Sequence, residues 1–328
     1  MQTSYIYSTS RLNTLAQYLL TETDIDRLMV AEPGEDLQSA LKETYLAQYV
    51  LQVPNGEISE AIEQTLIDAK QLIHRIAPNG HMFEVLWVQY DIHNLRVFAK
   101  AQAAGLQYDE CKVYVSGRGT YDPAVLFEYA EKGELNRLQS DWQQGFDVAQ
   151  RLVAAGEIDK VDGVFDDLFF AAIKRSAQSS QDAFLTKYIR GVIDMYNLKS
   201  RLRAVNYPQI PFTPVFITGG TFAEAEIETK EQIFSAFEKL SGIQFWKSAV
   251  ENYTQTGNSS QIDARVDEYL LILAKQASFD MFSSASLVLY YLQCRQAAAN
   301  VRTIVVGKNS GMKEGDIRAN LRMAYVNE

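Results

Sequence analysis

Apolar residues along this chain recur at helical spacing. From Ile58 to Ile76 they fall at Ile62, Leu66, Ala69, Leu72, Ile73 and Ile76, one face of a 3.6-residue repeat. Pro78-Asn79-Gly80 is a turn signal, and a second apolar-faced helix is predicted from Met82 to Ala99. The middle of the chain repeats the arrangement, with helices predicted over 161–173 and, across a break at Ser179-Ser180, over 182–204. The last part predicts helices over 266–273 and 281–306. No stretch alternates apolar and polar residues between hairpin turns, so sheet content is expected to be very low. Pro208, Pro211 and Pro214 exclude helix where they cluster, and no proline follows Pro214, which fits uninterrupted helices to the end. The predicted class is all-α.

One phrase within this pattern is written three times. Asp91-Ile92-His93-Asn94-Leu95-Arg96 returns as Asp194-Met195-Tyr196-Asn197-Leu198-Lys199, and more loosely as Ala297-Ala298-Ala299-Asn300-Val301-Arg302. Successive asparagines are 103 residues apart in both intervals. Other landmarks recur at nearly the same interval. Leu37-Gln38-Ser39-Ala40-Leu41 is matched by Leu138-Gln139-Ser140-Asp141-Trp142, and Trp142 by Trp246. A helix start at Gly56-Glu57-Ile58 recurs as Gly156-Glu157-Ile158 and as Ser260-Gln261-Ile262. Duplication of one unit explains a common order held at a common interval. The units are drawn as 1–108, 109–212 and 213–328, joined by similar loops at 115–121 and 217–222.

Each phrase is expected to end its helix, placing Arg96, Lys199 and Arg302 near C-termini, where the helix dipole favours cations. The asparagines fall on the buried stripe: Ile189, Ile193 and Asn197 are four apart, as are Leu292, Gln296 and Asn300. A buried amide left unpaired costs about 1–3 kcal/mol. Each is therefore expected to bond to neighbouring groups and clamp the next turn or loop, the alternative being a ligand-binding role.

Composition narrows the function. At 328 residues the chain can bury a sizeable core, and its length alone would fit about two domains. With 31 basic and 41 acidic residues the net charge is -10, which argues against a nucleic-acid partner, because phosphates need a local basic excess. Acidity would serve solubility or a basic partner surface. Cys111 and Cys294 match no metal or redox spacing and are expected to be reduced, buried thiols of a cytoplasmic protein. The start, Met1-Gln2-Thr3-Ser4-Tyr5, has neither the basic nor the apolar region of a signal peptide. The longest apolar runs, such as 168–173, fall far short of the roughly 20 residues needed to span a bilayer, so membrane association is expected only through a partner.

Candidate chemistry is sparse. A Walker loop needs glycine, four residues, then Gly-Lys-Ser/Thr. Gly307-Lys308 is followed by Asn309, and Arg302 stands where the first glycine should be. The loops carrying Gly117, Arg118 and Gly119 and carrying Gly219 and Gly220 lack the lysine. They read as tight turns, with Thr120 and Thr221 near helix caps. His74, His81 and His93 give no zinc-binding pair. Asp159, Asp162, Asp166 and Asp167 read as a solvated acidic face near a helix start. No nucleophile elbow or paired acid and base stands out. No catalytic, cofactor-binding or metal-binding residue is assigned.

The end of the chain carries a family likeness. Asn300-Val301-Arg302-Thr303-Ile304-Val305-Val306-Gly307-Lys308, then Gly311 and Asp316-Ile317-Arg318-Ala319-Asn320-Leu321, resembles the C-terminal signature of the C subunit of prokaryotic A/V-type ATPases, the counterpart of the d subunit of eukaryotic V-ATPases. The Asp-x-x-Asn-Leu-base phrases at 91–96 and 194–199 are similar to that family's, and length, order and threefold duplication extend the likeness over essentially the whole chain. Ala297 departs from it, where an acidic residue is expected before the third asparagine. The resemblance implies an all-α, pseudo-threefold funnel of three similar helical units. It also implies a non-catalytic central-stalk rotor subunit between the central shaft (D- and F-type subunits) and the membrane rotor ring, transmitting torque for ion transport or ATP synthesis. Such a subunit lies on the cytoplasmic face of the membrane, without inserting in it, and takes no cofactor and no small-molecule substrate. The loops at 117–121 and 219–222, being equivalent in the repeat, are expected on one partner-facing rim. The competing reading is a helical-repeat scaffold or adaptor unrelated to ATPases.

Overall fold

A computed structural model of the chain describes residues 5–53, 58–209 and 214–322. Among the described residues there are helices, turns and coil but no strand, as the absence of apolar alternation predicts. Gly56 and Pro211 lie outside the described residues; Pro208 and Pro214 stand in non-helical chain.

Two compact units are present, residues 1–78 with 182–328, and residues 79–181. The larger unit begins with α1 (Ile6–Ala16), α2 (Glu22–Val30), α3 (Glu35–Leu41), α4 (Ala47–Val50) and α5 (Ile58–Ile76). The smaller unit holds α6 (Glu84–Ala103), α7 (Tyr108–Cys111), α8 (Pro123–Glu131), α9 (Trp142–Ala154) and α10 (Ile158–Ser180). Its centre is α6, which packs against α8, α9 and α10. Twelve residues of α6 are buried, on all sides. A helix apolar all round must be enclosed. By contrast α9 buries one face, Trp142, Phe146 and Ala149, at helical spacing.

The larger unit resumes with α11 (Ala183–Asn206), α12 (Lys230–Ser241), α13 (Ile243–Thr256), α14 (Ser260–Ala277), α15 (Ala285–Asn309) and α16 (Glu314–Ala319). Helix α15 is its most enclosed element and packs against α1, α5, α14 and α16; α11 packs against α12 and α14. Aromatic contacts fill the α12–α14 cluster, with the Trp246 ring 4.8 Å from Phe237 and 5.9 Å from Tyr269.

The long-helix pairings can be set beside the thirds expected from the sequence. The long helix of the first third, α6, packs on α8 and α10 of the second; α11 packs on α12 and α14 of the last third; α15 packs on α1 and α5 of the first. Helices α6 and α11 are thus each covered by shorter helices that follow them in the chain, and α15 by α1 and α5 from its beginning as well as by α14. The repeat's Leu41, Trp142 and Trp246 are all fully buried.

Some predicted boundaries move. The helix over 58–76 is found as predicted, but Met82 and Phe83 belong to a 3-10 turn and α6 runs to Ala103. Ser179-Ser180 does not break α10. Both hydroxyls bond back to carbonyls three residues earlier, and the break falls at Gln181, whose φ of 52° leaves the helical region. Asp182 then caps α11, its carboxylate accepting from the Leu185 amide. The short helices α2, α8 and α12 carry capping signals that apolar periodicity does not register. Thr21–Asp24 and Thr229–Gln232 form capping boxes, and Asp122 caps α8 ahead of a proline at its first position.

Candidate functional site

The three asparagines make one and the same contact. The Asn94 side chain donates to the Ser116 carbonyl at 2.9 Å and accepts from the Ser116 amide at 2.8 Å. Asn197 does this to Ile217, at 2.8 and 2.9 Å. Asn300 does it to Arg322, at 2.9 and 2.7 Å. The carboxamide is matched to one residue's N–H and C=O, so both backbone groups of a non-helical residue are satisfied at once. This is the clamp expected from the sequence. All three asparagines are buried.

Asp91 and Asp194 add a second hold one helical turn earlier. The Asp91 carboxylate accepts from the Thr120 and Tyr121 amides at 2.8 and 3.1 Å, and Asp194 from the Thr221 amide at 2.6 Å. Charge-assisted bonds of this kind are each worth about 1.5–3 kcal/mol. The loops come so close that Gly119 and Gly220 must lack side chains: a Cβ at either would overlap the carboxylate oxygen. Burial pushes the Asp194 carboxyl above the ordinary aspartate range, although the Thr221 and Phe222 donors act to lower it. Thr120 stands two residues before the α8 cap, but neither it nor Thr221 caps a helix itself. Their amides face a carboxylate, and the caps are Asp122 and Thr229.

The basic residues correct a second expectation. Each asparagine stands nine residues before its helix ends, not at the end, and the bases follow two residues on. Arg96 pairs with Asp162 (3.3 Å) and Asp166 (3.2 Å) of α10, and Lys199 pairs with Asp263 of α14. Part of the predicted acidic face is therefore an ion-pair partner within the unit. Arg302 is exposed and has no ion pair among the described residues. In the third copy Ala297 is fully buried where an acid stands in the other two, and Arg322 reaches Asp267 at 2.8 Å instead. Arg322 and Asp267 were not among the residues the repeat singled out; the 101-residue step from Asp166 to Asp267 was the available signal.

The candidate loops differ in exposure. Arg118 lies over the Tyr90 ring at 4.1 Å and donates to the Tyr90 and Ser116 hydroxyls, with Gly117 half-buried and Gly119 buried. Gly219 is exposed and takes a positive φ of 101°, which favours glycine, and Gly220 is half-buried. Among the described residues no group of His, Cys, Asp and Glu could hold a metal ion, and His93 bonds to the Tyr114 carbonyl. Both cysteines are free and buried, and burial pushes the Cys294 thiol up to about 12. No helix among the described residues is long and apolar enough to cross a membrane. The recurring arrangement holds segments together.

Comparison with known proteins agrees with the likeness at the C-terminal signature. The chain is 22% identical over 298 residues to the C subunit of the A-type ATP synthase of Methanothermobacter thermautotrophicus, covering 83% of this chain and 75% of that protein. It is 22% identical over 323 residues to the protein of the same name from Thermococcus kodakarensis, covering 92% and 86%. The Halobacterium salinarum protein of that name is 25% identical over 155 residues, covering 45% and 44%. The profile of the ATP synthase (C/AC39) subunit family matches residues 8–320, and on that extent the chain belongs to this family.

Proposed function

We propose that this chain is the non-catalytic central-stalk rotor subunit of an A/V-type rotary ATPase. It links the shaft, built of D- and F-type subunits, to the membrane rotor ring, and passes torque between them. The family match over residues 8–320 carries the reading. The clamps support it, because a torque-bearing part needs loops that do not give. Buried, fully paired polar contacts fasten the loops after α6 and α11 to the helices themselves.

On this reading the three units, 1–108, 109–212 and 213–328, form a pseudo-threefold funnel seated on the cytoplasmic face of the ring. The recurring long-helix pairings favour that arrangement. The exposed loop at Gly219, Gly220 and Thr221 is the better candidate for a partner contact. Arg118, in the equivalent loop, already spends its donors on Tyr90 and Ser116. The test is affinity purification of the tagged full chain from detergent-solubilised membranes. Recovery together with shaft subunits and the ring is expected. Recovery of intact, folded chain with neither would overturn the proposal.

A further inference from the structure

The third clamp is built unlike the other two. At Ser116 and Ile217 the asparagine is backed by a buried carboxylate that takes further loop amides. Ala297, fully buried in α15, has no acceptor to offer at that turn. The charged contacts that hold residues 310–322 in addition to Asn300 lie nearer the surface. Arg322 pairs with Asp267 at 2.8 Å, and Arg318 of α16 pairs with Asp26 of α2 at 2.8 Å, all four side chains being partly exposed. Between these pairs Ile317 sits directly over Gly307 of α15, where an added Cβ would lie 2.7 Å from its side chain. Beyond the backbone bonds that tie Ser310, Gly311 and Met312 to the last turn of α15, one buried amide contact, one apolar plug and two partly exposed ion pairs do the fastening.

We propose that residues 310–322 form a salt-releasable strap on α15, which opens under conditions that leave the clamped loops at 116–121 and 217–222 shut. The physical basis is screening. The Debye length falls from about 10 Å at 0.1 M salt to about 3 Å at 1 M, weakening exposed pairs while buried carboxylate–amide bonds are little affected. Once the ion pairs let go, the Asn300 contact, Ile317 and the backbone bonds at 310–312 are the remaining fastenings, and release of Ile317 uncovers α15 at Gly307.

Hydrogen exchange of the full chain tests this, since amide exchange reads local opening. On going from about 0.05 M to about 1 M NaCl, amides of 310–322 are expected to exchange roughly two- to fivefold faster, the range of exposed ion pairs. Amides of 114–121 and 215–222 should not respond. Asp267→Asn and, separately, Arg318→Gln should speed exchange in 310–322 at low salt and blunt its salt response. Unchanged exchange in the other two segments then reports that the fold is kept. An equal salt response in all three segments, no response in 310–322, or variants that exchange as the parent does would each overturn the proposal.

Discussion

Two glycines and one helix interior separate the effects of space and of propensity at single residues. Gly119 and Gly220 are needed for room beside Asp91 and Asp194, whereas Gly163, inside α10, has open space around it. Gly119→Ala and Gly220→Ala should each destabilise by more than about 2 kcal/mol, since either the loop must retreat or the carboxylate must lose an amide. Gly163→Ala should stabilise by about 0.5–1 kcal/mol, the ordinary helix preference of alanine. Urea denaturation of the three variants checks both signs. Asp194 supplies a pH test. Because burial raises its folded pKa, the folded state holds a proton that the unfolded state has already lost across the interval between the two values. Its contribution to stability therefore falls as pH rises through that interval and is level above it. Asp194→Asn keeps an oxygen for the Thr221 amide and removes the titration. The stability of the parent relative to this variant should decline from about pH 4 upward. A relative stability that climbs with pH would contradict the assignment.

Among elements, the compact unit of residues 79–181 is offset by one long helix from the second third expected at 109–212. Residues 79–181 are compact because α6 is covered by α8, α9 and α10, helices of the following third. A fragment of residues 79–181 should therefore give a helical spectrum and a cooperative thermal transition. A fragment of residues 109–212 holds α8–α10 without α6 and carries α11 without α12 and α14, so it should lack one. Equal cooperativity in the two fragments would count against the pairing. Periodicity located the long helices well, because each carries an unbroken apolar pattern. It placed their ends less well: α10 continues through Ser179-Ser180 because serine hydroxyls can bond back to the helix without stopping it.

For the whole molecule, membership of the ATP synthase (C/AC39) subunit family rests on a match spanning nearly all of the chain. A net charge of -10 bears on which surfaces the molecule can approach, and so on its association rates, rather than on its fold. Within each unit, segments distant in sequence are fastened to an enclosed long helix, α6 or α15, by a few buried polar side chains.

The amino-acid order by itself determined the helical class and the family, the first because it is written in local spacing, the second because it is carried by phrases spaced 103 residues apart. It also placed three amides on buried faces, where elementary energetics demanded a partner. Which partner was a tertiary matter. Ser116, Ile217 and Arg322 lie 20 or 22 residues from their asparagines, and no periodicity links them. The structure likewise decided that Arg96 and Lys199 meet carboxylates of another helix rather than a helix end, and that Arg322 and Asp267 replace the acid missing at Ala297. Local pattern reports which face of an element is buried; only the packed chain reports what lies across from it.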